Sequence, residues 1–362
     1  MPGHNERDED ERWMKRALGL AELGHTTTAP NPMVGCVIVL DGVVIAEGWH
    51  EKYGEAHAEV NALSKIPHYR REQLSKATAY VTLEPCSHYG KTPPCAELLI
   101  ERGVGRVVSA MVDPNDLVSG KGHKKLQQAG IETLTGVLES DSRELNKKFI
   151  HLHKSDLPFI TLKWAESKDG FIDPNDDALA GRGSYPITSD KTRTFVHRLR
   201  ASHKGILVGR KTIEVDDPSL TVRKVKGVNP IRIVIDPDLK LDTALYKISR
   251  VEGTTWILHS KEESKEEVEK DLSEKVVLIK SPLQDLTATL TMIRSRGIDS
   301  VLVEGGAYTL RRFLEEGLWN EAYVFSSNSN LKEGLQSPEL NGEIIDTVDL
   351  GVDCLKIYTN IR

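Results

Sequence analysis

His57-Ala58-Glu59 is followed by Pro85-Cys86 and, after eight intervening residues, by Cys95. One imidazole and two thiolates suit a borderline-soft dication such as zinc, and three protein ligands leave a fourth position for water. Two thiolates and a neutral imidazole balance the charge of the ion, which leaves Glu59 as an additional base. A zinc ion lowers the pKa of its water towards about 7. A neighbouring free carboxylate can then take the water proton, protonate a ring nitrogen and pass a proton to a departing amine. The pattern points to removal of an exocyclic amine from a heterocycle. A closed structural zinc site would need a fourth protein ligand. None stands at finger-like spacing, His50 and His88 being the nearest candidates.

The spacing also constrains the elements that carry these groups. Residues two apart in a helix interior point roughly 200° apart, so His57 and Glu59 can share a pocket only in a first helical turn. Pro93-Pro94 likewise puts Cys95 at a helix start, and helix N-termini aimed at a metal favour thiolate over thiol. Around these residues the first half alternates. Helical periodicity over Arg12–Leu23 precedes strands at 34–40 and 43–49, joined by an Asp41-Gly42 hairpin turn. Helices are expected at 57–66, 95–102 and 121–129, and strands at 79–83, 106–112 and 131–137.

The pattern lapses over Leu145–Pro158, and a domain boundary is expected there, with residues 1–150 forming one domain and 151–362 another. The second series has strands at 159–164, 205–208, 231–235, 255–258, 276–279, 300–303 and 321–325. Its helices are at 191–200, 286–296 and 308–316, and the charged run Lys261–Lys275 reads as a solvated helix or loop. Strands separated by helices imply an α/β protein with parallel pairings.

Composition narrows the class. A chain of 362 residues with 39% hydrophobic and 28% charged residues reads as two ordinary globular domains. With 48 basic against 54 acidic residues, the net charge of −6 disfavours a broad nucleic-acid surface. The 6% aromatic content likewise offers little to a splayed strand, as a nucleic-acid base deaminase would require. Four cysteines do not make a disulfide scaffold; Cys86 and Cys95 read as ligands, while Cys36 and Cys354 lie in strand-like apolar runs. The charged stretch Met1–Arg12 lacks the apolar core of a signal peptide, and no segment has the apolar length of a membrane span. A cytoplasmic location with no membrane partner is expected. A third class, a zinc-stabilised binding protein, leaves Glu59 without a role.

Three blocks carry a family resemblance: Asn31-Pro32-Met33-Val34-Gly35-Cys36, then Gly54-Glu55-Ala56-His57-Ala58-Glu59-Val60-Asn61-Ala62-Leu63, then Thr82-Leu83-Glu84-Pro85-Cys86 through Cys95. They resemble the bifunctional riboflavin-biosynthesis deaminase/reductase, whose long interval between the cysteines differs from the commoner Pro-Cys-x-x-Cys arrangement. The resemblance runs on through Gly209-Arg210-Lys211-Thr212, Asp216–Arg223 and Val301–Ala307, so it covers essentially the whole chain. It implies a cytidine-deaminase-like three-layer αβα domain followed by a dihydrofolate-reductase-like α/β domain. The first would deaminate 2,5-diamino-6-(5-phosphoribosylamino)pyrimidin-4(3H)-one at one zinc ion, held by His57, Cys86 and Cys95, with Glu59 catalytic. The second would reduce the ribosyl group of 5-amino-6-(5-phosphoribosylamino)uracil with NADPH.

By the same resemblance Asn31, His50, His88, Lys91, Asp113 and Asn115 read the deaminase substrate; Lys91 suits a phosphate as a point charge. Ser184, Arg200, Leu220, Arg223 and Glu304 read the reductase substrate, and Glu166, Pro186, Thr212, Asp216, Gly305 and Gly306 the cofactor. Gly305-Gly306, between a strand and a helix, can bring backbone amides to a phosphate. Each position also has a plainer reading: Asp113-Pro114-Asn115 as a turn, His50 as a hairpin cap, the diglycine as a tight turn, the arginines as solvated side chains. The implied partners are small phosphoribosyl pyrimidines, without nucleic acid, and a homo-oligomer formed through the reductase domain.

The chain departs from the family where Glu166-Ser167-Lys168-Asp169-Gly170 replaces the commoner Ala-Ser-Leu-Asp-Gly. It also has Ser184-Tyr185-Pro186-Ile187-Thr188 in place of Ser-x-Trp-Ile-Thr, and a polar insert over 173–183. Loss of that Trp removes an apolar surface from the cofactor site, so a deaminase with a degenerate reductase domain is the alternative.

Overall fold

Residues 4–89, 93–115, 119–173, 187–262 and 275–361 are described by the computed structural model. They form two compact units, Met1–Lys154 and Ser155–Arg362.

In the first unit, α1 (His4–Ala21) leads to the hairpin β1 (Gly35–Leu40) and β2 (Val43–Trp49). Then come α2 (Ala58–Ser64), β3 (Thr78–Val81), α3 (Cys95–Glu101), β4 (Arg106–Ser109) and α4 (Lys121–Gln128). The unit ends with β5 (Glu132–Thr135), α5 (Glu139–Leu145) and α6 (Lys147–Lys154). The sheet order is β2-β1-β3-β4-β5. β1 is antiparallel to both β2 and β3, and β3, β4 and β5 run parallel.

Alternation along β1 builds three layers, because successive side chains leave a strand on opposite faces. Cys36 and Ile38 pack with Ala58, Ala62 and Leu63 of α2, Ala96 and Leu99 of α3 and Leu126 of α4. Val37 and Val39 pack instead with Trp13, Met14 and Ala17 of α1. A Cβ at Gly48 would lie 2.5 Å from the Ala62 backbone nitrogen, so glycine lets α2 lie against β2. On the other face, buried Asp10 fixes α1 to the sheet by accepting from Arg106 (2.7 and 2.9 Å) and the Tyr80 hydroxyl (2.9 Å).

The second unit begins with β6 (Phe159–Glu166), β7 (Phe171–Asp173), α7 (Asp190–Ala201), β8 (Gly205–Gly209) and α8 (Arg210–Asp216). It continues with β9 (Ile231–Ile235), α9 (Lys247–Arg250), β10 (Thr255–His259), β11 (Val276–Lys280), α10 (Leu286–Ser295) and β12 (Ser300–Val303). It closes with α11 (Ala307–Glu315), β13 (Glu321–Ser326), β14 (Leu335–Gln336), β15 (Glu343–Asp349) and β16 (Cys354–Thr359). Nine strands form one sheet, β11-β10-β9-β8-β12-β6-β13-β16-β15. It is parallel from β11 to β13 and antiparallel at β16 and β15. Leu290, Ile293, Leu310 and Phe313 of α10 and α11 cover one face with Ile160, Leu162, Val301 and Val303. Val196 and Leu199 of α7 and Ile213 of α8 cover the other with Ile206, Val208 and Leu302.

The expected parallel pairings run from β3 to β5 and from β11 to β13, and the expected hairpin joins β1 to β2 antiparallel. Two expectations are corrected. The stretch expected to lapse over 145–158 is largely helical: α6 spans only eight residues, with Phe149, Ile150 and Leu152 half-buried between charged ends. β15 and β16 carry a hairpin at the sheet edge that the strand pattern misses, because β15 is exposed along almost its whole length. Of the charged run at 261–275 and the insert at 173–183, residues 263–274 and 174–183 lie outside the described residues.

Candidate active sites

His57 stands at the N-cap of α2 in extended conformation (φ −72°, ψ 163°), and Glu59 lies in the first turn, buried. That geometry lets both side chains reach past the open helix end. Pro94 caps α3 in the same way, so Cys95 is its first residue. His57 Nδ1 lies 3.6 Å from Cys86 Sγ and 3.3 Å from Cys95 Sγ. The Cys95 backbone N–H donates to Cys86 Sγ (3.2 Å). Around a tetrahedral zinc with bonds of about 2.0 and 2.3 Å, nitrogen and sulfur ligands stand about 3.5 Å apart. The donor atoms therefore fit that ion. Among the described residues, these three form the group whose ligand atoms converge within 4.8 Å as a metal site requires.

Hydrogen bonding from Cys95 pulls the Cys86 thiol down, with His57 adding to it against burial. Burial pushes the Glu59 carboxyl up and Cys86 reinforces it, while His57 and a hydrogen bond with Cys95 oppose it. A buried carboxyl whose affinity for a proton is raised is suited to accept and return one.

His50 and Asn31 adjoin this centre. His50 Nδ1 lies 3.0 Å from the Ala56 carbonyl and Nε2 lies 3.1 Å from Asn31 Nδ2. A carbonyl only accepts, so Nδ1 carries the ring proton and Nε2 accepts from the amide. That leaves Asn31 Oδ1 as an acceptor for a ring edge. The His50 and His57 rings meet edge to face at 5.8 Å. Burial holds the His50 imidazole down and hence neutral. Asp113 accepts from the Asn115 backbone N–H (2.8 Å) in a tight turn, and burial pushes its carboxyl up against that bond and against nearby His153 and His88. Lys91 lies outside the described residues.

Glu84 was not singled out by its sequence position, yet it organises this pocket. Its buried carboxylate accepts from four backbone N–H groups, those of Asp113 (3.1 Å), Gly120 (2.9 Å), Gly122 (2.8 Å) and His123 (3.3 Å). Gly122 is required here, since a Cβ would lie 2.0 Å from the Pro85 carbonyl oxygen. Glu84 thus ties the Pro85-Cys86 segment to the turn bearing Asp113. Glu84→Gln turns an amide N–H2 towards these donors and is expected to destabilise the fold by about 2–4 kcal/mol. Thermal unfolding with zinc bound checks this, and an unchanged midpoint refutes it.

In the second unit, Arg200 of α7 and Glu304, just after β12, form a bidentate pair, with Nε to Oε1 and Nη2 to Oε2 both at 2.8 Å. Lys163 of β6 joins them, its Nζ 3.9 Å from Glu304 Oε2. Burial alone would raise Glu304, but Arg200 and Lys163 hold it down at about 2. Burial also pulls Lys163 down, with Arg200 adding to it and Glu304 opposing. Arg200 further donates from Nη1 to the Thr221 carbonyl (3.3 Å). Its guanidinium is thus committed to protein partners, whereas Arg223 donates to the hydroxyls of Thr221 (3.0 Å) and Ser219.

Leu220 is buried in the left-handed region (φ 50°), a strained conformation for a branched residue, as is Asp217 (φ 40°). Gly306 caps α11, and its N–H donates to Thr212 Oγ1 (3.0 Å), joining two residues expected at the cofactor. Asp216 ends α8, its carboxyl raised by burial and by Asp173. The Glu166 carboxylate accepts from Trp164 Nε1 (3.1 Å) and Ser326 Oγ (3.0 Å). Ser184 and Pro186 lie outside the described residues. Lys163 went unnoticed in the sequence, although a lysine inside the apolar run Phe159–Ala165 was its signal.

Residues 7–111 match the family model of the cytidine and deoxycytidylate deaminase zinc-binding region, and residues 158–327 that of the RibD C-terminal domain. The riboflavin biosynthesis protein RibD of Aquifex aeolicus is 39% identical over 98% of this chain and 94% of its own. That of Escherichia coli is 41% identical over 88% and 87%. A solved structure from Thermotoga maritima is named a diaminohydroxyphosphoribosylaminopyrimidine deaminase/5-amino-6-(5-phosphoribosylamino)uracil reductase. It aligns with a TM-score of 0.86 at 33% identity, covering 98% of this chain and 99% of that one. Acinetobacter baumannii RibD gives 0.84 at 34%, covering 98% and 100%. The cytidine-deaminase-like and dihydrofolate-reductase-like α/β folds are thereby established, and no helix among the described residues is long and apolar enough to cross a membrane. The chain belongs to the RibD family, the bifunctional deaminase/reductase enzymes of riboflavin biosynthesis.

Proposed function

We propose that residues 1–150 deaminate 2,5-diamino-6-(5-phosphoribosylamino)pyrimidin-4(3H)-one, and that residues 151–362 then reduce the ribosyl group of the product to ribityl with NADPH, in the cytoplasm. The observation that carries the first step is the convergence of His57 Nδ1, Cys86 Sγ and Cys95 Sγ beside buried Glu59. These three would hold one zinc ion per chain, which when bound supplies a water made acidic enough to attack at neutral pH. Glu59 would take one proton of the attacking water and deliver it to a pyrimidine ring nitrogen. It would then take the second proton from the hydroxyl formed at carbon and hand it to the departing amine, which leaves as ammonia. Asn31 orients the ring through its free Oδ1, with neutral His50 fixing the amide from behind. Asp113, Asn115, His88 and Lys91 would read the remaining edge and the phosphoribosyl group.

For the second step, Gly305 and Gly306 at the start of α11, with Thr212, Asp216, Glu166 and Pro186, would hold NADPH, which supplies the hydride. The Thr212–Gly306 hydrogen bond supports that grouping. Arg223 would face the substrate phosphate, and Leu220, Ser184 and the Arg200–Glu304 pair would line the ribose. The intact buried pair favours an active reductase over a degenerate one. Self-association through this unit is part of the reading; β15, an edge strand with Ile344 and Ile345 about half exposed, offers a surface.

Incubation of the full chain with the diaminopyrimidine, with and without NADPH, tests both steps by product mass. Ammonia release with replacement of one amino group by oxygen is expected without NADPH. The ribityl product is expected only with it. Absence of the ribityl product alongside complete deamination overturns the second step.

A further inference from the structure

The segment bearing Arg223 is held residue by residue. Arg200 Nη1 donates to the Thr221 carbonyl (3.3 Å), Asn229 Oδ1 accepts from the Val222 N–H (2.8 Å), and His197 Nδ1 accepts from the Arg223 N–H (3.1 Å). His197 and Arg200 lie three apart on α7, so one helix face presents both to this strand of chain. His197 is buried there, 5% exposed. A backbone N–H can only donate, so Nδ1 is the unprotonated nitrogen of a neutral ring.

We infer that His197 is a positioning residue of the reductase, fixing the backbone of Arg223 so that its guanidinium meets the anionic phosphate of the substrate. The inference rests on the proposed reading of Arg223 as the phosphate contact. Burial, then the neighbouring Arg200 and Arg223 charges, hold the His197 imidazole down at about 4, so the acceptor at Nδ1 persists at neutral pH. The strained backbone at Asp217 and Leu220, just upstream, makes such anchoring necessary: a segment with two left-handed non-glycine residues relaxes elsewhere when its ties are cut.

The test uses the full chain with zinc bound, assaying NADPH oxidation with 5-amino-6-(5-phosphoribosylamino)uracil and with its dephosphorylated form. H197F keeps the ring volume without the acceptor and is expected to raise KM for the phosphorylated substrate about tenfold, with kcat within about twofold. H197N places an amide oxygen where Nδ1 stood and is expected to restore KM, whereas H197Q, whose oxygen reaches the Nε2 position, is not. On the dephosphorylated substrate all of these proteins are expected to perform alike. Should H197F fail to fold, the contrast between H197N and H197Q decides the question. Equal impairment of H197N and H197Q, or an unchanged KM in H197F, overturns the positioning role. R223A separates the two levels. If R223A loses phosphate discrimination while H197F and H197Q keep it, only the His197 inference falls. If R223A keeps it, the phosphate reading falls and the inference with it.

Discussion

Glu59→Gln is expected to keep its zinc and to lose deamination by about 10³-fold, while NADPH-dependent reduction by the same chain continues at the normal rate. The substitution preserves volume and leaves His57, Cys86 and Cys95 untouched, so the converging donor set survives. What disappears is the carboxylate that can accept a proton and give it back. Glu59 is 3% exposed and its carboxyl is pushed up by burial, so bulk water cannot readily substitute as the proton carrier. Zinc content by metal analysis and ammonia release with the diaminopyrimidine decide the matter. A zinc-loaded Glu59→Gln protein with full turnover sinks the acid–base role, and loss of zinc together with activity reassigns Glu59 to holding the site.

The metal centre was legible because its constraint is local. A His-x-Glu pair can converge only at a helix start, and His57 is the N-cap of α2; Pro93-Pro94 forces the same at Cys95. The two faces of the first sheet were likewise readable in the alternation of residues 36–39. Long-range pairings were not. Glu84 sits inside a recognisable block, but its partners lie at 113 and 120–123, and no periodicity links a carboxylate to backbone N–H groups so far along the chain. His197 is similar: its role depends on where a loop beginning at Asp217 returns to α7. β15 escaped for a different reason. Its residues face water on almost every position, so the apolar alternation that reveals a strand is missing, and only β16 beside it defines its register. α6 escaped because eight residues flanked by Lys147-Lys148 and Lys154 are too few for a helical period to stand out.

Glu304→Gln is expected to lower the stability of the second unit by about 3 kcal/mol and to cut reduction by about 10²-fold. Among the described residues Glu304 is the counter-charge shared by two largely buried cations, Arg200 and Lys163, and the amide leaves both uncompensated. The carboxyl's fall from 4.5 to about 2 is itself worth about 3 kcal/mol at neutral pH. Its sign is set by the depressed value in the fold. The stabilisation is fully present above the unfolded value of 4.5 and is lost as pH falls through about 2. The midpoint gap between wild type and Glu304→Gln should therefore be as large at pH 5 as at pH 7, and should shrink below about 4.5. Reduction falls because Arg200 loses its bidentate partner and with it the geometry that holds the Thr221 carbonyl. A double replacement, Arg200→Met with Glu304→Met, separates the two effects. Removing both charges avoids an unpaired arginine and should recover part of the lost stability, as buried ion pairs exchanged for apolar groups commonly do. Reduction should stay low in that protein, because neither the pair nor the tie to Thr221 has returned. Recovery of full reduction in the double variant, or a normal midpoint in Glu304→Gln, would show that the buried pair neither braces the fold nor shapes the site.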